Sequence, residues 1–378
     1  MSLGLHLTVL IGQSVPAPAP LDLLEAIREV KVTNTDEGQD GFQISFHVGR
    51  GGAADAADYP LLDSPLLKPF NRVIILVTFS IFPKVLIDGV ITHQQLNPSS
   101  EPGQSTLTVM GTDLSVLMGL EEKSETFPNQ PDAAIATRII GSYAQHGIAP
   151  EVIPPASMEV PLEINVVASQ QETDLAYLRK LAKLHDHVFY IEPTDVPGLN
   201  TAYWGPPKRT GVPQKALSVN MGPFTNVNSV DFQNDALEPV AVTGSVQDPI
   251  TGAKFQIPSL PSLRPSLAGQ ATSALSQGNT RTRILRDSGL SITQTLIKAQ
   301  SESDSSSDAV KVTGELDATR YGDVLRARGL VGLRGVGQSF DGLYYVKKVE
   351  HNIVKGKYTQ NFTLTREGIG SSTSTVIT

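Results

Sequence analysis

The run Asp341-Gly342-Leu343-Tyr344-Tyr345-Val346, broken at Lys355-Gly356-Lys357 and resumed from Tyr358 to Arg366, has a counterpart near the other end of the chain. There Asp88-Gly89-Val90-Ile91-Thr92 breaks at Glu101-Pro102-Gly103 and returns through Thr106-Leu107-Thr108-Val109. A shift of 253 superposes both Asp-Gly pairs and both break glycines, and puts Leu107 and Val109 in phase with Gln360 and Phe362. A slip of one residue sends every side chain of a strand to the other face, so matched phase is harder to reach by chance than matched composition. Asp-Gly pairs and lone glycines punctuate turns in any β protein, which leaves coincidence open. The alternative is two copies of one β module in a single chain. On that reading Asp88-Gly89 overlies Asp341-Gly342 in space.

The 378 residues have room for two to three domains. Lys and Arg number 30 against 38 Asp and Glu, a net charge of −8, with no dense basic run. That balance argues against a nucleic-acid groove. The absence of cysteine removes disulfides, thiolate metal sites and a cysteine nucleophile. Leu3, Leu5, Leu7, Val9 and Ile11 alternate with Gly4, His6, Thr8 and Leu10, which is strand periodicity without the basic start of a signal peptide. The longest apolar run, residues 73–82, is about half of what a membrane helix needs. We therefore expect a soluble protein assembled in a cytoplasm.

Residues 1–118 read mostly as strands. Phe42, Ile44, Phe46 and Val48 alternate with polar residues, and residues 21–29 form a short helix. Residues 73–82 are too apolar to face water on either side, so they lie in a barrel core or under a partner chain. From Pro131 the period changes. Asp132 can cap a helix carrying Ile135, Ile139 and Tyr143, with Gly147 as its stop. Ser169-Gln170-Gln171-Glu172 is a capping-box pattern for a second helix with the stripe Leu175, Leu178, Leu181 and Ala182, followed by a strand at 187–191. Residues 206–225 are rich in Pro and Gly. Strands resume at 240–244 and 310–314, with a helix near 291–299 between them. The run from Ser301 to Asp308 is almost wholly Ser, Asp and Glu, too polar to order itself, and is expected to be a mobile loop. The chain thus reads as mainly β with an α/β insertion. The divisions are 1–118, 119–215 with 255–305, 216–254 with 306–367, and a flexible tail at 368–378.

Residues with chemical potential resolve to structural roles. His185 and His187 flank Asp186, yet positions two apart do not share a helix face and no third ligand lies near in sequence, so helix-end packing is the better reading. Asp63-Ser64 and scattered histidines lack the elbow of a hydrolase. Gly329-Leu330-Val331-Gly332-Leu333-Arg334-Gly335-Val336-Gly337 lacks the ending of a phosphate loop and reads as strands with close backbone approach. Trp204 beside Tyr203 is either a subunit anchor or a core aromatic. Thr359, Asn361, Thr363 and Thr365 alternate with the core and are expected on an outer face. No catalytic, metal or cofactor-binding residue is assigned.

Three stretches resemble the baseplate central hub family of contractile phage tails and injection systems, which includes phage late control protein D and the hub portion of VgrG spikes. They are residues 169–190, Leu107-x-Val109-x-Gly111-x-Asp113, and the closing hairpin with Tyr345, Val346, Val349, His351, Gly356 and 362–366. The resemblance implies two similar antiparallel tail-tube-like β-barrels with a small helix-containing domain. It implies a non-enzymatic homotrimer whose six barrels match a sixfold tail tube on one face and hold a threefold spike on the other. It further implies a channel that DNA or cargo crosses only in transit, tube or tube-initiator and other baseplate proteins as partners, and no membrane. The location implied is a virion baseplate or injection-system particle assembled in a bacterial cytoplasm. Only twelve residues follow Arg366, so a spike is expected to be a separate polypeptide. The rival reading is a tail-tip hydrolase or carbohydrate-binding β protein.

Overall fold

A computed structural model describes residues 5–13, 15–48, 59, 61–62, 64–79, 82–101, 104–155, 168–247, 253–275, 278–285 and 292–372. Leu3, Gly4, Asp63, Pro102, Gly103 and Ser291 lie outside this set. The first part of the chain runs β1 (His6–Gly12), β2 (Ala17–Pro18), α1 (Leu21–Glu25), β3 (Ile27–Thr35), β4 (Gly41–His47), β5 (Arg72–Phe79), β6 (Phe82–Asn97) and β7 (Thr106–Asp113). Then come β8 (Glu122–Phe127), α2 (Asp132–Gly141), β9 (Ile148–Val152), β10 (Ala168–Thr173), α3 (Asp174–Leu184), β11 (Val188–Pro193) and β12 (Asn200–Gly205). Next are β13 (Gln214–Ser218), β14 (Val227–Asn234), β15 (Val240–Gln247), β16 (Lys254–Ile257), β17 (Ala268–Ala271), α4 (Thr272–Leu275), β18 (Arg281–Leu285) and α5 (Ile292–Ser305). The last are β19 (Val310–Asp317), α6 (Ala318–Tyr321), β20 (Leu330–Arg334), β21 (Gly342–Val354), β22 (Lys357–Arg366) and β23 (Gly368–Ser371).

Among the described residues, thirteen strands form one sheet, ordered β14-β19-β22-β21-β3-β4-β7-β6-β5-β1-β2, with β20 paired to both β13 and β21. The two halves of that sheet have one plan. Taken in chain order, six strands of each half lie first-fourth-fifth-sixth-third-second: β1-β5-β6-β7-β4-β3 and β13-β20-β21-β22-β19-β14. One pairing differs in direction, since β13 runs parallel to β20 whereas β1 runs antiparallel to β5.

The irregularities repeat as well. An extra residue, Arg28, bulges from β3 opposite Ser45 and Phe46, and Asn228 bulges from β14 opposite Glu315 and Leu316. Thr92 bulges from β6 opposite Met110 and Gly111, and Lys347 bulges from β21 opposite Thr363 and Leu364. Phe70 and Arg328 both adopt left-handed backbone, at φ 64° and 66°. Both donate to the neighbouring strand, to the carbonyls of Ile91 and Val346. A bulge costs a ladder bond and is kept where it re-aims a strand, so coincident bulges carry more weight than coincident turn residues. In each half a phenyl ring lies across a glycine: a Cβ at Gly111 would sit 2.3 Å from the Phe42 ring, and one at Gly314 would sit 2.5 Å from Phe362.

The repeat corrects the superposition drawn from the sequence. Return strands β7 and β22 do align at 253, and Leu107, Val109, Gln360 and Phe362 are all buried. The outgoing strands align at 255, from Thr92 to Lys347, so Asp88-Gly89 overlies Leu343-Tyr344 rather than Asp341-Gly342. The two shifts, 253 and 255, differ by two residues, so every side chain keeps its face. The difference arises in the hairpin, which has eight residues between the paired Asn97 and Thr106 but six between their counterparts Asn352 and Thr359.

Several local expectations change. Val73, Ile75 and Val77 enter the main core, while Ile74 and Leu76 bury with Leu10 and Val85, so residues of this chain cover both faces of β5. β15 pairs with β16 and β18 rather than joining the sheet of β14 and β19, which moves residues 240–247 out of the second half and into the insertion. α3 starts at Asp174, after strand β10, and its cap is Thr173. α2 starts after Pro131 without a side-chain cap, leaving Asp132 free for another role. α1 ends at Glu25, and the chain enters β3 at Ile27; the start of the expected flexible tail, Gly368–Ser371, is strand β23, paired antiparallel with β17. Residues 301–305 are helical: Ser301 bonds Lys183 O, Ser303 bonds Leu260 O, and Asp304 accepts from Ser262 and Leu263. The composition of this run misled because hydroxyls and carboxylates order a helix when each finds a partner. Thr359 and Thr365 are also buried, while Asn361 is exposed.

Candidate interaction surface

The two halves meet where β3 pairs antiparallel with β21, from Thr35↔Lys348 to Glu29↔Val354. Behind this joint lies a buried polar network. Asn34 occupies the core phase of β3 beside Val30 and Val32, and His351 occupies that of β21 beside Val349 and Ile353. His351 Nε2 lies 3.0 Å from Asn34 Oδ1, while its Nδ1 lies 2.7 Å from the Tyr358 hydroxyl. Asn34 gives its amide hydrogens to Asp40 at 2.8 Å and Leu86 O at 3.2 Å, so its oxygen accepts and the His351 proton belongs on Nε2. Burial pushes the His351 imidazole down to about 3, with Arg326 adding to the shift, which keeps it neutral at pH 7.

Arg328 closes the network. Its guanidinium donates to Thr35 O and Asp40 and lies 4.0 Å from the centre of the Tyr190 ring, so one side chain ties both halves to the insertion. Asp113 accepts from the Asp40 and Ser115 amides at 2.8 and 2.7 Å, and burial, helped by Asp40, raises its carboxyl to about 6.

Two further pins lock the insertion. Arg72 of β5 makes a bidentate pair with Asp88 of β6 at 2.7 Å; Asn200 and Gly198 O complete it. Asp88 is thus a buried anchor in mid-strand, whereas Asp341 sits in the turn before β21 and accepts from Val336 N. Arg264 grips Asp186 through two 2.7 Å bonds and reaches Asp308, which Arg209 also pairs.

The residues singled out for chemistry are placed in packing roles. His185 Nε2 lies 2.8 Å from Asp132, and both His185 and His187 meet the edge of Trp204. Trp204 is fully buried and donates to Leu178 O, which makes it a core aromatic. Gly335 lets the chain pass Val219, whose carbonyl a Cβ would meet at 2.0 Å. Ser64 precedes a 3-10 turn, and its neighbour Asp63 lies outside the described residues. No group of three or more His, Asp or Glu suited to a metal occurs among the described residues, and no helix there is long and apolar enough to cross a membrane. Reading the sequence missed Arg328, Asp40, Arg264 and Asp308. None of these four lies on a strand, so alternation could not flag them; the signal for the network was a polar residue on the core phase of a strand, as at Asn34, His351 and Gln360.

What the fold leaves open are sheet edges. Among the described residues, β14 has β19 as its only strand partner, and β2 has only β1. His93, Gln95 and Asn97 at the end of β6 are exposed.

No protein-family model matches this sequence, and no curated protein matches it. Solved structures do match in fold. A tail protein from Neisseria meningitidis superposes with TM-score 0.63 at 12% identity, over 97% of this chain and 98% of its own. The 43 kDa tail protein of prophage MuSo2 from Shewanella oneidensis gives 0.64 at 11%, over 96% and 99%. A type VI secretion component of E. coli, described as structurally similar to T4 bacteriophage tail proteins, gives 0.54 at 10%, over 90% and 73%. The chain therefore has the fold of phage tail and type VI secretion proteins, mainly β with few helices.

Proposed function

We propose that this chain is the structural central hub of a contractile tail or injection-system baseplate. Its two like halves are two tube-like units, and three chains supply six of them around a channel for DNA or cargo. One face of that ring joins the tail tube or its initiator. The other holds a separate threefold spike, and further baseplate proteins bind the rim. Assembly takes place in the bacterial cytoplasm, and the chain performs no catalysis. The observation that carries this reading is the duplicated strand plan with its coincident bulges, because a protein that bridges threefold and sixfold partners needs two equivalent units per chain. The likeness in fold to tail and type VI secretion proteins supports this reading. Electron microscopy of particles assembled without this chain tests it. Loss of both tube and spike is expected; particles that keep both contradict the adaptor role.

A further inference from the structure

The internal repeat shows which edges of this sheet should meet between molecules. β21 has three strand partners: β20, β22 and β3. Among the described residues its counterpart β6 has two, β5 and β7, and lacks the equivalent of β3. β3 has two partners, β4 and β21, whereas among the described residues its counterpart β14 has only β19. The two vacant edges are therefore the two sides of the joint already made once inside the chain. In the sheet order six strands, β19, β22, β21, β3, β4 and β7, stand between β14 and β6, and the two edges are not paired with each other.

We infer that β14 of one copy pairs antiparallel with residues 93–97 of β6 in a second copy, repeating the β3–β21 joint. The inference rests on the hub reading for its trimer but fixes the joint from the repeat alone. The offset between β3 and β14 is 200, from Arg28 to Asn228, and that between β6 and β21 is 255. Carrying the Thr33↔Glu350 and Val32↔His351 pairs across sets Gln233 opposite Gln95 and Phe232 opposite Leu96.

Burial supports this joint. Val32 and His351 are buried where the internal joint covers them, while Phe232 and Leu96 are each left half-buried. Arg328, under the internal joint, is 5% exposed; its counterpart Phe70 holds the same left-handed backbone yet is 55% exposed. A strained, solvent-facing phenylalanine gains cover if a strand docks there as β3 docks over Arg328. The transferred register also sets Asp235, just past β14, opposite His93, and places no like charges face to face. Such an interface is head-to-tail, so repeated copies build a ring if the rotation closes.

The natural chain has no cysteine, which makes cross-linking direct. Opposed Cα atoms in an antiparallel pair lie within disulfide reach, at about 4.5–5.5 Å. Under mild oxidation, full-length Gln95→Cys mixed with Gln233→Cys should give a reducible covalent dimer, and the double variant a ladder ending at three copies. The out-of-register pair His93→Cys with Gln233→Cys should cross-link at least tenfold more slowly. A trimer by native mass spectrometry in which the Gln95 pair reacts no faster than this control overturns the joint and leaves the hub reading standing. Absence of any self-association in the same variants overturns both.

Discussion

Arg328 and His351 are the two side chains on which the joint between the halves most depends. Arg328→Ala leaves Asp40 buried beside Asp113 with its cation gone, and removing one partner of a buried pair costs about 3–5 kcal/mol. Urea unfolding should show a loss of that order; a loss below about 1 kcal/mol would mean the pair is not the clamp described. His351 gives a pH signature. Its folded-state value of about 3 lies below the ordinary 6.5, so between these limits the unfolded chain binds the proton and the folded chain does not. Its contribution is complete above about pH 6.5 and declines as pH falls, by up to ~1.4 kcal/mol per pH unit. Asp113 and Asp36 act in the opposite sense, because burial raises both to about 6 and their contribution is lost as pH rises through that value. The His351 effect is therefore isolated by difference. The stability gap between the natural chain and His351→Gln should shrink by about 2 kcal/mol from pH 7 to pH 5, and a gap independent of pH would contradict the buried neutral imidazole.

At the level of elements, strands were legible in the sequence and polar helices were not. Alternation located β1, β4 and β22 because a half-buried strand must place an apolar residue at every second position. The same rule found the phase of the repeat but not its two-residue offset, since bulges and loop length leave no mark in composition. The capping-box pattern at Ser169 misplaced the start of α3, because those residues pair with β8 before Thr173 caps the helix. The last turns of α5 hid for a different reason. Their stability comes from Ser301, Ser303 and Asp304 meeting backbone groups remote in sequence, which no window along the chain contains. Amides at 299–305 should exchange slowly with deuterium, and Asp304→Ala should speed them while costing about 1–3 kcal/mol. Exchange at the rate of an unfolded segment in the natural chain would restore the mobile loop.

For the whole molecule, the apolar strand β5 gives no ground for a partner, since Ile74 and Leu76 are covered from within. The case for oligomers rests instead on the duplicated plan and its two unmatched edges. A net charge of −8 suits a channel that lets nucleic acid slide, because a pore lined with Lys and Arg would hold phosphates. Gel shifts at moderate salt should show no retained DNA; tight, salt-sensitive binding would contradict a transit channel. On the proposed hub reading, one chain carries two equivalent units and three chains make a sixfold-like ring. Native mass spectrometry of the purified protein, alone and with the proposed spike, is the decisive measurement. Three copies per assembly are the predicted result, and a dimer or a stable hexamer of this chain would contradict it.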